Sequence, residues 1–168
     1  AVFRCGQPGD EMFIVTEGRV KLTMTSPDGR ENLIRLVGPL DVVGAMSAFD
    51  PGGRSANATA LTTTTAFVIE RAVLHWWLSS QPGIAEKLLR LLARRARSMS
   101  FAVTDLVFCD VATRVARRLL DLASGYGIQQ DGETRVDHHL TQSDIAQLVG
   151  ASRETVCKAL NEFAHHGW

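Results

Sequence analysis

The sequence predicts an α+β chain in three parts: a jelly-roll-like β domain over residues 1–80, a long helix over 81–109 and a helix-turn-helix unit over 110–168. Three observations predict it. Short alternating strands separated by Gly/Pro turns fill the first 70 residues. Apolar residues then recur in steps of three and four from residue 82 to residue 108. The last third carries a helix-capping box, a reversal glycine and a second cap in succession.

Phe13, Ile14 and Val15 run into Glu17-Gly18, after which Val20, Leu22 and Met24 alternate with polar residues. This pattern predicts a β-hairpin whose second strand is half-buried. Ser26-Pro27-Asp28-Gly29 is a turn, because proline presets φ and glycine accepts a positive φ. Leu33 to Val37 is a further apolar run, closed by Gly38-Pro39. Thr59 to Ile69, rich in threonine and β-branched residues, reads as one strand. Short strands at this spacing predict a small barrel or jelly roll.

Pro82 suits a first helical turn. Apolar or small residues follow at Ala85, Leu88, Leu92, Met99, Ala102, Leu106 and Cys109, with Arg95 interrupting. Steps alternating three and four are the seam of a coiled coil. The pattern also suits a helix buried against its own domain; the length of the run and its arginine-rich flanks favour a dimer helix. The expected seam is Leu88, Leu92, Met99, Ala102 and Leu106.

Val111 to Ser124 is amphipathic and is expected to end at Gly125, with a polar, turn-rich excursion over Gly127 to Val136. Thr141-Gln142-Ser143-Asp144 is a capping box. Ile145, Leu148 and Val149 give the helix an apolar face, and Ala146 is small enough for close approach of a second helix. Gly150 sits where the chain must reverse and wants a positive φ. Ser152 caps the next helix, from Arg153 to about Ala164. Its inward face is Val156, Ala159, Leu160 and Phe163; its outward face is Arg153, Glu154, Cys157 and Lys158. Arg and Lys donate to guanine O6 and N7, and Glu accepts from cytosine N4, so this face suits a major groove. Thr141, with nearby backbone amides, is placed to meet a phosphate. A plain helical hairpin with a solvated polar face is the bland alternative.

The chain has 168 residues, 45% hydrophobic and 21% charged, an ordinary globular balance. No apolar run approaches the roughly 20 residues that a membrane helix needs. Net charge is zero, which argues against holding nucleic acid by bulk charge alone. The cysteines Cys5, Cys109 and Cys157 are widely separated with no CxxC pair, so neither a zinc ribbon nor a disulfide frame is expected; free thiols in a reducing cytoplasm are the simplest reading. Ala1 begins inside what reads as a strand and Trp168 ends abruptly, the pattern of a trimmed chain.

Gly150-Ala151-Ser152-Arg153-Glu154-Thr155-Val156 resembles the recognition segment of the cyclic-AMP receptor protein (catabolite activator / fumarate-nitrate regulator) family of bacterial transcription regulators, one of the known helix-turn-helix systems. Gly6-Gln7-Pro8-Gly9-Asp10 resembles the family's β-roll turn, Phe13 to Val20 the following hairpin, and Asp110-Val111 with Arg114-Val115 the hinge into the DNA-binding domain. Pro27 to Leu33 and Phe49-Asp50-Pro51-Gly52 are most similar to actinobacterial members. The resemblance implies an N-terminal β-roll of the cyclic-nucleotide-binding fold, a dimerisation helix and a C-terminal winged helix-turn-helix whose wing would follow Trp168 and is not in this sequence. It implies a homodimer on a near-palindromic duplex operator, with RNA polymerase as a further partner and no membrane.

The resemblance also implies an effector pocket. Family members that bind cyclic AMP show a Gly-Glu-Leu segment, then Arg-Ser or Arg-Thr about ten residues on. Here Gly44-Ala45-Met46 precede Arg54-Ser55. Arg54 and Ser55 match the phosphate clamp, while Ala45 falls where the ribose-binding Glu is expected. The family's adenine-contacting Thr-Ser pair corresponds to Met99-Ser100, with Ser100 kept and the Thr lost. Three outcomes stay open: weak cyclic AMP binding, binding of another anionic ligand, or a vestigial pocket.

Residues 1–70 contain no His, which argues against a metal-dependent cupin enzyme. The pairs His138-His139 and His165-His166 are adjacent and point apart, so no metal is expected. No nucleophile elbow, Walker loop or Ser/His/Asp pattern appears, so the chain is not expected to be an enzyme. The alternative function is a regulatory module that does not bind DNA, with a nucleotide-binding roll controlling something else; the segment from Thr141 to Leu160 argues against it.

Overall fold

The computed structural model describes residues 1–50 and 52–167; Pro51 and Trp168, both used in the sequence reading, lie outside them. Strands β1 (Glu11–Glu17), β2 (Val20–Thr25), β3 (Glu31–Val37), β4 (Val42–Val43), β5 (Asn57–Ala60) and β6 (Thr65–Glu70), with the short helix α1 (Ala45–Phe49), form the N-terminal roll. They make two three-stranded antiparallel sheets, in the orders β4-β1-β6 and β3-β2-β5. Val15, Val20, Val37, Val43 and Ala58 are buried between them.

Two strand expectations are corrected. The hairpin expected from Phe13 to Met24 does not form. β1 pairs with β4 and β6, β2 pairs with β3 and β5, and the turn at Gly18 carries the chain from one sheet to the other. The single strand expected over Thr59 to Ile69 is two strands, one in each sheet. Between them Arg19 donates its backbone N–H to Thr62 Oγ1 at 2.9 Å, and Thr64 Oγ1 donates to the Thr62 carbonyl at 2.9 Å. These threonine hydroxyls compete with ladder hydrogen bonds and make a corner of a β-rich run.

The alternation expected for β2 also fails beyond Leu22. Leu22 lies opposite Arg35, but Thr23 lies opposite Leu33, so Ile34 is an extra residue in β3. A bulge of this kind changes which residues share a face. Leu36 opposite Lys21 and Leu33 opposite Thr23 thereby fall on one face, and Leu33, Leu36 and Thr23 are all buried there while Met24 is exposed.

Helix α2 (Arg71–Ser80) leads into α3 (Pro82–Phe108), 27 residues and about 40 Å long. Then come α4 (Val111–Tyr126), the hairpin β7 (Gly127–Gln130) and β8 (Glu133–Val136), α5 (Gln142–Val149) and α6 (Arg153–His165). Asp110 caps α4 by accepting from the Thr113 N–H at 2.8 Å. α4 runs through Gly125 to Tyr126 rather than stopping at the glycine. The excursion over Gly127 to Val136 is an ordered antiparallel hairpin around Asp131-Gly132, the dipeptide that a two-residue turn favours.

The C-terminal helices do not build a closed core of their own. Val115, Leu122, Leu140, Ile145, Ala146, Val149, Val156 and Ala159 form one buried cluster with Leu33 and Leu36 of the roll. The second sheet therefore packs on both faces. Leu33→Ala should destabilise the folded chain by about 2–5 kcal/mol and disturb the packing of α5, read by urea unfolding followed through near-UV circular dichroism.

Of the dimer seam expected on α3, Met99 and Leu106 are exposed. Leu88 packs against the cluster of Met12, Ala48, Ile69 and Leu74, and Ala85, Leu92, Arg95 and Ala102 are half-buried against the same chain. Leu106 faces Gly150, where an added Cβ would lie 3.2 Å from Leu106 Cδ2. One exposed stripe is Leu89, Ala93, Ala96, Val103 and Val107, with Ser100 in the same four-three rhythm; Met99, Phe101, Leu106 and Phe108 are exposed as well. α3 carries neighbouring apolar stripes, and periodicity does not say which one its own roll takes. Among the described residues no helix is long and apolar enough to cross a membrane.

Candidate nucleic-acid interface and effector pocket

The helix pair at the C-terminus is set by local chemistry. Thr141 Oγ1 accepts from the Asp144 N–H at 3.1 Å, and Asp144 Oδ2 accepts from the Thr141 N–H at 2.9 Å, a complete capping box. Thr141 also donates its hydroxyl to Asp144 Oδ2 at 2.7 Å, so the side chain expected to meet a phosphate is engaged in the cap. Gly150 closes α5 at φ 63° and ψ 47°, the left-handed region where a side chain is strained. Ser152 caps α6 by accepting from the Thr155 N–H at 3.1 Å, and its hydroxyl lies 2.8 Å from Thr155 Oγ1.

α6 packs on α4 and α5 through Val156 and Ala159, which are buried, and Leu160 and Phe163, which are half-buried. Arg153, Glu154 and Lys158 are exposed, and among the described residues none has an ion-pair partner. Cys157, expected on the outward face, is engaged by a neighbouring side chain. It is half-buried, and its thiol donates to Gln142 Oε1 at 2.8 Å, tying α6 to the start of α5.

Asp144 has a further partner outside its own domain: Lys21 Nζ of β2 donates to its Oδ1 at 3.2 Å. Burial pushes this carboxyl up, but the bonds from Thr141 and the charge of Lys21 outweigh it and hold the group below the ordinary aspartate range. The capping role of Asp144 is legible in the sequence, whereas the lysine, 123 residues away with no periodic signal, is not.

In the roll the structure brings Gly44, Ala45, Met46, Arg54 and Ser55 together. Arg54 is only 5% exposed. Its Nη1 donates to the Glu11 carbonyl at 2.7 Å, the Gly44 carbonyl at 3.2 Å and Ser47 Oγ at 3.0 Å. Its guanidinium carbon stands 4.4 Å from the Phe3 ring centre and 5.6 Å from that of Phe13, within cation–π range. Gly44, at φ 77°, starts α1 where a Cβ would collide with the Arg54 guanidinium. Burial lowers the Arg54 pKa from its ordinary value, with Glu11 and Asp10 acting the other way. Among the described residues its Nε is buried with no hydrogen-bond partner.

That arrangement fits a phosphate better than a sugar. Ala45 is buried at 1% exposure and offers no carboxylate. Ser55 is exposed, its hydroxyl directed to Met46 Sδ at 3.8 Å. The structure does not bring Met99 and Ser100 to this group. Both are exposed on α3, where Ser100 Oγ donates to the Ala96 carbonyl at 3.1 Å. Arg95 of α3 reaches the roll by a hydrogen bond, its Nη2 donating to the Val42 carbonyl. Ser47, Phe3 and Phe13 were missed in the sequence because nothing in their spacing ties them to Arg54.

The family model for a cyclic nucleotide-binding domain matches residues 1–81, and that for a Crp-like helix-turn-helix domain matches residues 113–168. A CRP-like cAMP-activated global transcriptional regulator of Mycobacterium tuberculosis is 52% identical over 167 residues, covering 99% of this chain and 75% of the relative. The chain belongs to the cyclic-AMP receptor protein (CRP) family of transcription regulators. Among solved structures, FixK2 from Bradyrhizobium japonicum superposes with a TM-score of 0.85 at 23% identity, covering 99% of this chain and 80% of that one, and shares the fold. The c-di-GMP-responsive global regulator CLP of Xanthomonas campestris superposes at 0.76 with 25% identity, covering 99% of this chain and 83% of that one.

Within this CRP-family frame Arg153 is the outward residue nearest the start of α6. Arg153→Ala should weaken specific duplex binding by about 1–3 kcal/mol and relax preference at one base pair per half-site. Competition binding against a panel of single-base variants reads this; equal weakening on every sequence would make Arg153 a phosphate contact.

Proposed function

We propose that the chain is a homodimeric, sequence-specific DNA-binding regulator of transcription that reads a near-palindromic operator with Arg153, Glu154 and Lys158. The observation that carries this reading is the capped α5, the Gly150 reversal and the exposed, unpaired polar face of α6. A helix of 13 residues is about 20 Å long and enters a major groove end-on or obliquely. Thr141, Ser152 and Cys157 border that face as positioning groups, with backbone amides at the α5 start available to phosphate. On this reading the chain works in the cytoplasm, has RNA polymerase as a partner and is not an enzyme. Enrichment of a near-palindromic site from a random duplex pool tests it. A pool with no enriched sequence would leave the alternative, a regulatory module with a nucleotide-binding roll.

The second copy is proposed to cover the stripe of Leu89, Ala93, Ala96, Ser100, Val103 and Val107, all exposed. Leu89→Asp with Val103→Asp should give a monomer by sedimentation velocity that no longer binds the enriched duplex, whereas an unchanged dimer would put the interface elsewhere.

The roll is proposed to bind cyclic AMP more weakly than relatives that have a ribose-binding carboxylate. Arg54 supplies a cation, while Ala45 supplies nothing polar. A lost charge-assisted hydrogen bond is worth about 1.5–3 kcal/mol, roughly ten- to hundredfold in affinity. A ligand shifts a conformational equilibrium only by its differential affinity for the two states, so operator binding should not depend strictly on cyclic AMP. Calorimetry should show weak binding that Ala45→Glu tightens by roughly tenfold, with Met99→Thr adding to it only if α3 of the second copy lies over the pocket. Tight binding by the unmodified chain, with a large gain in operator affinity, would contradict this.

A further inference from the structure

The DNA-binding helices meet the roll across an apolar seam with a polar contact at each end. The seam is Leu33 and Leu36 of β3 against Leu122, Leu140, Ile145, Ala146 and Val149. At one end, the Tyr126 hydroxyl at the close of α4 lies 3.0 Å from the Leu36 carbonyl and 3.0 Å from Asp41 Oδ2, and its single proton is shared between them. Asp41 is itself held: its Oδ2 accepts from the Gly38 N–H at 3.1 Å, and its Oδ1 pairs with Arg35 Nη2. Arg19 lies over the Tyr126 ring, 4.7 Å from its centre. Gly38 leaves the ring its room, since a Cβ there would sit 2.7 Å from Tyr126 Cε1. At the other end, Lys21 of the roll holds Asp144 in the first turn of α5.

Apolar contact is non-directional and tolerates sliding and rotation. Hydrogen bonds need a set distance and angle. Two polar contacts at separate points on a rigid pair of helices fix rotation as well as position. The covalent joint does not: Cys109 and Asp110 are extended residues between α3 and α4, bridged on the surface by Arg117 pairing with Asp105.

We propose that Tyr126, anchored on Asp41 and Leu36, and Lys21, anchored on Asp144, are positioning residues that set the angle of the recognition helices and so the half-site spacing the dimer accepts. This rests on the DNA-binding reading above. Neither residue touches DNA; each acts through the placement of α5 and α6. Tyr126→Phe removes the hydroxyl and keeps the ring under Arg19. Lys21→Met removes the ammonium and keeps the stem.

The test is a selection from duplexes carrying two copies of the enriched half-site with the central spacer varied one base pair at a time, using the full chain. Wild type should accept one spacing strongly. Tyr126→Phe and Lys21→Met should each accept neighbouring spacings, with base preference inside the half-site unchanged and affinity for the best spacing down roughly three- to tenfold. The double variant should broaden further. Melting temperatures are measured alongside. A lower melting temperature with an unchanged spacing distribution would overturn the inference, since a merely structural role predicts that result. Failure of wild type to select any spaced pair would overturn the DNA-binding reading, and this inference with it.

Discussion

The sheet β3-β2-β5 has to bury both of its faces. One face closes the roll over Val15, Val37 and Ala58; the other receives α4 and α5 through Leu33 and Leu36. The extra residue at Ile34 makes this arrangement work, because without it Leu33 and Leu36, three apart, would point to opposite sides. The effector domain and the DNA-binding domain therefore share a hydrophobic core. Any change that moves β3 moves the first helix of the helix-turn-helix with it.

This sharing couples the roll to α4, α5 and α6 through one packed core. Arg54 ties together Glu11 in β1, Gly44 before α1 and Ser47 within α1. Asp41 and Val42 follow β3 after one turn, and there Arg35, Tyr126 and Arg95 converge from the roll, α4 and α3. Burial and the neighbouring Asp41 push the Tyr126 hydroxyl up to about 12, so it stays a neutral donor across the physiological range. Burial, reinforced by Arg35 and opposed by Asp41, brings Arg95 down to about 10, still a cation at neutral pH. Neither Tyr126 nor Arg95 changes protonation near neutral pH, which suits a mechanical link better than a pH sensor.

The helix-turn-helix was legible because its determinants are local: a capping box four residues long, a reversal glycine and a second cap. The roll was legible as strands and turns but not as pairings. β1 and β2 read as a hairpin because sequence neighbours usually pair, and nothing in Glu17-Gly18 reveals that the chain changes sheets there. The Thr-rich run read as one strand because propensity does not see a corner built from hydroxyl-to-backbone bonds. On α3 the helical period was legible, while the packing of Leu88 on the roll was not, because it depends on how the roll closes. In the pocket, Gly-Gly-Arg-Ser pointed to Arg54, but its three acceptors come from backbone and from Ser47, and these appear only once the roll is closed. Tyr126 and Lys21 carried no signal at all, since their partners lie 85 and 123 residues away.

A hydroxyl-radical footprint of the chain on its own selected duplex tests the dimeric DNA-reading assignment most directly. Two protected patches should appear on one face of the duplex, their centres about one helical turn, 34–36 Å, apart and related by two-fold symmetry. A single protected patch, or uniform weak protection along the duplex, would contradict it.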